Sequence, residues 1–582
     1  MKTKTNPPES TFHLLSAHPM GWAAAIARFA ERIGVVEWLN AVLPWDPAQC
    51  HLSPGLRLLA LMIGFLVDPR ALYQMEEFYQ TLDCEVLFGP GVQAGDFNDD
   101  ALGRALLKLH AAHPAQVFAD LSERAVATYD LPRTDAVHAD TTSLTLYGEY
   151  PAASAAEAEK EAVHGSEHPV EPSASALTPP QTAQPMRGYN KDGHRDCKQL
   201  VLGAVTRPDG IPVRVDVNDG NLNDTVWNRQ AVAALKETLT TRPNILFVAD
   251  SKLIADETVD QLCEEQVYFV SRMPNTFALT AATKAEAAGH ATWIEVGAIA
   301  RRLGAAEYRI WETSGIVADH SVRLVVVESS ALTAKADASV PHDRDTAAAR
   351  VDRAAQRLSR QRFECEVDAR KAREAWEKTL PALAWWHIEA TLETSTRRRR
   401  RPGGGPLETV TEWHWMIQRG AVNQAFVDQE HLRRRTFVLI ANDPDRSASE
   451  LLAAYNEEWV VEGTHATIKG PLGIAPVFLK DPKKLTAYVY VVYLAALLWS
   501  VMQAVARRNA VQWGVTLPYP NGQLQEAPSS KRIKELLMPI TIVCYRLQDV
   551  TYRVLEELTW VQRLACLLLE VEPRRLTAVP SG

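Results

Sequence analysis

Cysteine is scarce and unpatterned in this chain of 582 residues: there are seven (Cys50, Cys84, Cys197, Cys263, Cys365, Cys544, Cys566), and no two form a CxxC pair. Scattered thiols in odd number exclude a disulfide framework and a thiolate zinc site, and they fit a reducing compartment. The opening residues carry no charged-then-apolar leader, so the expected location is the cytoplasm. Positive charge is also short, with 62 Lys and Arg against 71 Asp and Glu and a net charge of −9. Phosphate contacts draw on Lys and Arg, so any contact with a polyanion must come from local patches. Such patches exist at Arg397 to Arg401, at Arg433 to Arg435, and at Lys480, Lys483 and Lys484. Long apolar runs are nearly absent. The one exception, Ala487 to Met502, falls short of the roughly 20 residues of a membrane span. Lysines precede it and Arg507-Arg508 follow, yet a buried core helix is the expectation, with no membrane association.

What is present is ordinary globular composition, 46% apolar and 23% charged, in a chain too long for one core. Residues 10–130 show apolar positions at three- and four-residue spacing, as in WAAAIARFAERIGVVEWLNAVL, and predict a helical N-terminal domain. A change follows at Leu131, where AVHADTTSLTLYGEY alternates as a strand does. Residues 152–185, rich in Ala, Glu, Ser and Pro, predict a disordered loop inside a unit spanning 131–273. Within that unit CKQLVLGAVT and IPVRVDVND predict two strands about an Arg-Pro-Asp-Gly turn. Next come a helix (VWNRQAVAALKETL), a short strand (NILFVAD), a second helix (ADETVDQLCEEQ) and a strand (VYFVSRMP). An antiparallel meander followed by a helix and a parallel strand is the order of a ribonuclease H-like sheet. Residues 274–442 read as a β-rich insertion with a charged helical stretch, Arg344 to Lys378, and 443–570 as mostly helical.

Two carboxylates stand out by position. Asp140 lies in a strand-like run and Asp250 closes another in the same unit, so adjacent strands would aim both at one point. A strand-end carboxylate is a common divalent-metal ligand, although an Asp there taken alone is more often a cap or turn residue. A third candidate comes from YNEEWVVEGTHATIKG, where Tyr455, Glu462 and Lys469 are spaced by seven, with Glu458 between. On one helix that spacing places all four on one face, opposite Trp459 and Ile468. By spacing alone, a solvated surface is favoured over a site as the explanation of such a stripe.

These residues resemble a known family. DDE transposases of the insertion-sequence-four superfamily carry Tyr, two residues, Arg, three residues, Glu, six residues, Lys, and Tyr455, Glu462 and Lys469 stand at those places. Asp140 in HADTTS and Asp250 in FVADSKL resemble the family's two aspartates. GYNKDGHRDCKQL, GNLND and VFLKDPKKLTAYVYVVYLAALL resemble further segments in the right order, so the likeness runs from about Phe12 to Leu569. One departure is Glu458, where the family has Arg. The resemblance implies an α/β fold: an RNase H-like mixed-sheet core, a helical N-terminal domain, a β-rich insertion and a helical C-terminal end. It implies that Asp140, Asp250 and Glu462 hold two Mg2+ ions, with Mn2+ substituting, and that water or a 3′-hydroxyl attacks a DNA phosphate. It further implies that Tyr455 and Lys469 position phosphates; Arg397, Arg398 and Arg399 are candidates to grip DNA, with a solvated loop as their other reading. Implied partners are double-stranded DNA, as terminal inverted repeats and target, and a second subunit on paired ends. Trp413 and Trp415 are candidates to hold a flipped base, with core packing as their other role.

Two other readings remain open at this point. Glu458 and the acidic net charge suit a transposase-derived protein that binds DNA without cutting it. A two-carboxylate glycosidase would instead want an aromatic sugar cleft, and it leaves the Tyr, Glu and Lys spacing unexplained.

Overall fold

A computed structural model describes residues 12–580 apart from 151–179, 195, 242–244, 291, 301–303, 401–405, 458, 475–476, 520–521, 523, 526 and 548–549. The chain divides into two compact units. The first comprises residues up to Phe269 together with Ala454 onward, and the second is Val270–Ala453.

The first unit is built around the apolar run near residue 490. It forms a helix, Pro482–Trp513, that begins at the Asp481 cap and ends at Gly514 in the left-handed region (φ 63°). By length and hydropathy this helix is able to cross a membrane, but 89% of its most apolar window is buried inside the protein. The helices Pro54–Val67, Asp99–Ala111 and Pro114–Thr128 and the strand Pro212–Asn218 pack around it. A single apolar core joins the N-terminal helices, the sheet and the C-terminal helices, from Met20 to Leu576.

The sheet of this unit runs in the order Pro212–Asn218, Lys198–Thr206, Ala136–Leu146, Leu246–Ala249. The first three strands pair antiparallel, and the fourth lies parallel to the third. Helix Asp224–Thr241 connects the antiparallel part to the parallel strand. It rests on the sheet through the fully buried Trp227, whose indole sits where Gly203 has no side chain. A Cβ at Gly203 would lie 2.1 Å from the Trp227 ring.

Three expectations need correction. The N-terminal region is not purely helical, and the mostly helical C-terminal region also carries strands, because Phe12–Pro19 pairs antiparallel with Thr541–Leu547, which pairs with Val550–Leu555. Partners so far apart in sequence leave no local signal. The single helix expected from Tyr455 to Lys469 is two, Ala448–Asn456 and Trp459–Lys469. Tyr455 therefore does not share a continuous helical face with Glu462, and Trp459, expected on the apolar side, is 62% exposed. Most of the loop expected over 152–185 lies outside the described residues. Its end, however, is held in place: Ala183 is fully buried, and its N–H donates to the Thr486 hydroxyl at 3.1 Å.

In the second unit, Thr436–Ala441 pairs antiparallel with Tyr268–Arg272 on one side and His320–Ser329 on the other, followed outward by Glu307–Val317 and Ile294–Ala298. The charged stretch forms two helices, Ser330–Ser359 and Glu366–Thr379. Beside them stands a ribbon of two long strands, Trp386–Arg400 and Leu407–Val422.

The packing at Gly203 gives a direct test. Gly203→Ala forces the Trp227 ring off the sheet, and overpacking of this kind costs about 1–3 kcal/mol. The urea midpoint of the variant is expected to fall accordingly, while Ala204→Gly, at the neighbouring strand position, leaves Trp227 in place.

Candidate active site

The parallel pairing of two strands brings the aspartates together. Ala139 is the register partner of Ala249, so Asp140 and Asp250 are the next residues on adjacent strands, whose spacing is about 4.8 Å. Asp250 follows the last strand residue and caps the short turn Ser251–Leu253, accepting from the Lys252 N–H at 2.9 Å. Its side chain is thus fixed at a strand end.

A third carboxylate, absent from the sequence reading, is Asp224, the first residue of helix Asp224–Thr241. The Thr141 hydroxyl donates to its Oδ1 at 2.6 Å. A cation joins the group: Lys191 Nζ lies 3.4 Å from Asp140 Oδ1 and 3.5 Å from Asp224 Oδ2, and donates to the Thr141 carbonyl at 2.7 Å. The signal for both residues was present in GYNKDG and GNLND, but the two segments meet only in three dimensions.

Backbone constraints explain why Lys191 reaches this point. Buried Gln199 donates through Nε2 to the carbonyls of Tyr189 at 3.1 Å and Gly220 at 2.7 Å. Gly188 passes so near that a Cβ there would lie 2.3 Å from the Gly220 oxygen. Asn190 then donates to the Thr145 hydroxyl at 2.9 Å, and the Lys191 N–H to the Ser143 hydroxyl at 3.2 Å. The segment is thereby laid along the Asp140 strand.

Burial pushes both aspartates above the usual carboxylate range. For Asp140 the Lys191 charge opposes burial, while Asp224 adds to it. For Asp250 the Lys252 N–H opposes burial, while the charges of Asp140 and Asp224 add to it. Three carboxylates against one ammonium leave excess negative charge in a partly buried place, which a divalent cation would neutralise. The donors are all oxygen, the set that suits magnesium or manganese rather than zinc. Among the described residues, no three His, Cys, Asp or Glu groups already form a coordinating cluster. The fit to such an ion rests on donor chemistry and charge alone.

Glu462 is exposed on helix Trp459–Lys469, and this helix packs on the Asp140 strand. Its anchor is His465, whose Nε2 lies 3.3 Å from the Asp140 carbonyl oxygen. Burial lowers the His465 pKa to about 3, so the ring is neutral at pH 7 and its Nε2–H donates to that carbonyl. Lys469, on the same face as Glu462, is held by both carboxylate oxygens of Asp192 at 2.8 and 2.9 Å. Tyr455 lies on the preceding helix, and Glu458 is outside the described residues. Buried His138, two residues before Asp140, stands 3.9 Å from Glu457 Oε2, and burial lowers its pKa to about 4.

Arg397, Arg398 and Arg399 lie on the ribbon of the second unit and are exposed. Arg397 and Arg399 approach Glu412 at 3.9 Å and Glu364 at 3.2 Å, while Arg401 is outside the described residues. Trp415 is buried beneath the ribbon and donates to the Ala369 carbonyl at 2.7 Å. Trp413 packs in the same apolar cluster. Both indoles thus serve the core.

Two aspartates on adjacent parallel strands of a mixed sheet, with Asp224 and Lys191 beside Asp140, form a cluster of oxygen donors around one cation. A family model described as a transposase DDE domain matches residues 173–498, and a domain of unknown function (DUF4277) matches residues 16–123. The first covers more than half of the chain, which therefore belongs to the DDE transposase family. No curated protein matches the chain.

The raised Asp250 makes stability depend on pH. Its ionised form is disfavoured in the fold, so its contribution is present at low pH and lost as pH rises from the ordinary carboxylate value near 4 through the raised value. Asp250→Asn keeps the capping oxygen and removes the charge. Its melting temperature without metal at pH 7 is expected to equal or exceed that of the unsubstituted protein, with a flatter acid-side profile. Asp250→Ala also loses the cap, a loss of about 1 kcal/mol, and should melt below Asp250→Asn.

Proposed function

We propose that this chain is an active DNA transposase that cuts the ends of its own element and joins the freed 3′-hydroxyls to target DNA. The observation that carries this reading is the side-by-side placement of Asp140 and Asp250 in parallel register. The strand order, three antiparallel strands and a helix leading to a parallel one, supports an RNase H-like core of the insertion-sequence-four type. Asp140, Asp250 and Glu462 would hold the metal, with Glu462 brought in by the helix that His465 anchors. Bound there, two Mg2+ ions would supply Lewis acidity and a more nucleophilic water or 3′-hydroxyl; Mn2+ has the same oxygen-ligand preference.

The protein's own groups have separate tasks. Lys191 balances Asp140 and Asp224, which keeps both carboxylates turned inward before substrate arrives. Lys469 exchanges Asp192 for a backbone phosphate, and Tyr455 donates to a neighbouring one. Arg397, Arg398 and Arg399 add phosphate contacts from the ribbon. Attack by water releases the element's end, attack by the 3′-hydroxyl joins it to target, and neither needs a covalent protein intermediate. The substrates are terminal inverted repeats and target duplex, engaged by two copies of the chain on paired ends, in the cytoplasm and on the nucleoid.

Glu458 in place of Arg favours a second reading, a DNA-binding derivative that no longer cuts. Incubation of the protein with DNA carrying the ends that flank its gene, with and without Mg2+, separates the two. Metal-dependent nicking at the ends is expected. Asp140→Asn, Asp250→Asn and Glu462→Gln should each lower its rate by about a thousandfold or more, the loss expected when several kcal/mol of charge stabilisation are removed. Binding without nicking by the unsubstituted protein would establish the second reading instead.

A further inference from the structure

Beyond the carboxylates, the Asp140 strand leads to a feature that the chemistry above does not use. Immediately after the strand ends at Leu146, Tyr147 opens a groove of about 740 Å³ whose walls include Arg187, Lys198 and Lys480. The Tyr147 ring is 54% exposed. His194 braces it edge-on, with ring centroids 6.0 Å apart and planes at 72°. The Lys198 ammonium is fixed by donating to the Tyr150 carbonyl. Lys480 begins the Lys480, Lys483 and Lys484 cluster that stood out in an acidic chain. Glu149 and Asp196 also line the groove, leaving three cations against two acids.

From these observations we infer that this groove is a subsite for unpaired DNA: the Tyr147 face stacks a base, and Arg187, Lys198 and Lys480 take the flanking phosphates. The inference rests on DNA being the substrate. An exposed aromatic in a groove that cations also line is an arrangement that binds single strands with little regard to sequence. Bases inside a duplex are stacked on each other and offer no face to such a ring. The segment Gly188 to Cys197 supplies His194 beside Tyr147 and Lys191 beside Asp140. Tyr147 is seven residues beyond Asp140, a distance of about 23 Å along a strand. That corresponds to about seven nucleotide steps of one DNA strand. The subsite would thus hold DNA that becomes unpaired near the cut.

Fluorescence anisotropy with the full chain tests this, comparing a labelled blunt duplex with the same duplex carrying a single-stranded oligothymidylate tail. The unsubstituted protein is expected to bind the tailed duplex more tightly. Tyr147→Ala should weaken tailed binding by about tenfold while leaving blunt binding unchanged, and Tyr147→Phe should retain the preference, since stacking needs only the ring. Lys480→Gln should weaken tailed binding and reduce its salt dependence. Equal affinity of the unsubstituted protein for both duplexes, or a Tyr147→Ala variant that keeps the preference, overturns the subsite and leaves the transposase reading intact. Failure to bind either duplex overturns both.

Discussion

The candidate site of the first unit depends on one pairing. Ala139 opposite Ala249 in parallel register brings Asp140, within its strand, beside Asp250, at the end of the next, where burial opposes both charges and Asp140 and Asp224 add repulsion at Asp250. Such a pair is costly in an apo protein, and the surrounding structure shows how the cost is limited. Lys191 supplies positive charge, Thr141 and the Lys252 N–H supply hydrogen bonds, and each partner is itself fixed by a constrained backbone. The residual negative charge is of the kind that a divalent cation would neutralise.

That pairing requires support from distant parts of the chain. Gly203 lets Trp227 lie flat on the sheet, which places the helix that begins with Asp224. Gly188 and Gly220 let two loops touch closely enough for Gln199 to hold both. The helix Pro482–Trp513 underlies the unit, and its burial explains why so apolar a segment belongs to a protein core. Small residues set the close approaches, and the charged residues then fall into place.

Family membership and geometry give different kinds of knowledge here. Membership makes the chain a DDE transposase. The geometry adds how this chain builds its site, including a neutral buried histidine that ties the Glu462 helix to the Asp140 carbonyl and a lysine held by Asp192. Two of the tryptophans considered as base-holding groups are occupied in apolar packing. An exposed aromatic beside three cations offers a different place for an unstacked base.

Much of the fold was legible in the sequence because its signals are local. Alternation marked the strand around Asp140, a short apolar run marked the strand before Asp250, an Asp-Gly turn marked the hairpin between Lys198–Thr206 and Pro212–Asn218, and apolar spacing marked the helices of the first unit. The motif spacings pointed to Asp140, Asp250, Glu462 and Lys469 in the same way. Other features depended on partners far apart in the chain. The strand at Phe12–Pro19 forms because Thr541–Leu547 offers it an edge. The interruption after Asn456 removes Tyr455 from the Glu462 helix despite a favourable seven-residue spacing. Asp224, Lys191 and His465 acquire their roles only where a helix start, a loop and a second helix converge on one strand. Sequence by itself determined which segments form strands and helices and which acids recur in a family pattern, since periodicity and spacing act over neighbouring residues. Tertiary structure alone decided which charges face one another, because Coulomb forces and hydrogen bonds act through space and take no account of distance along the chain.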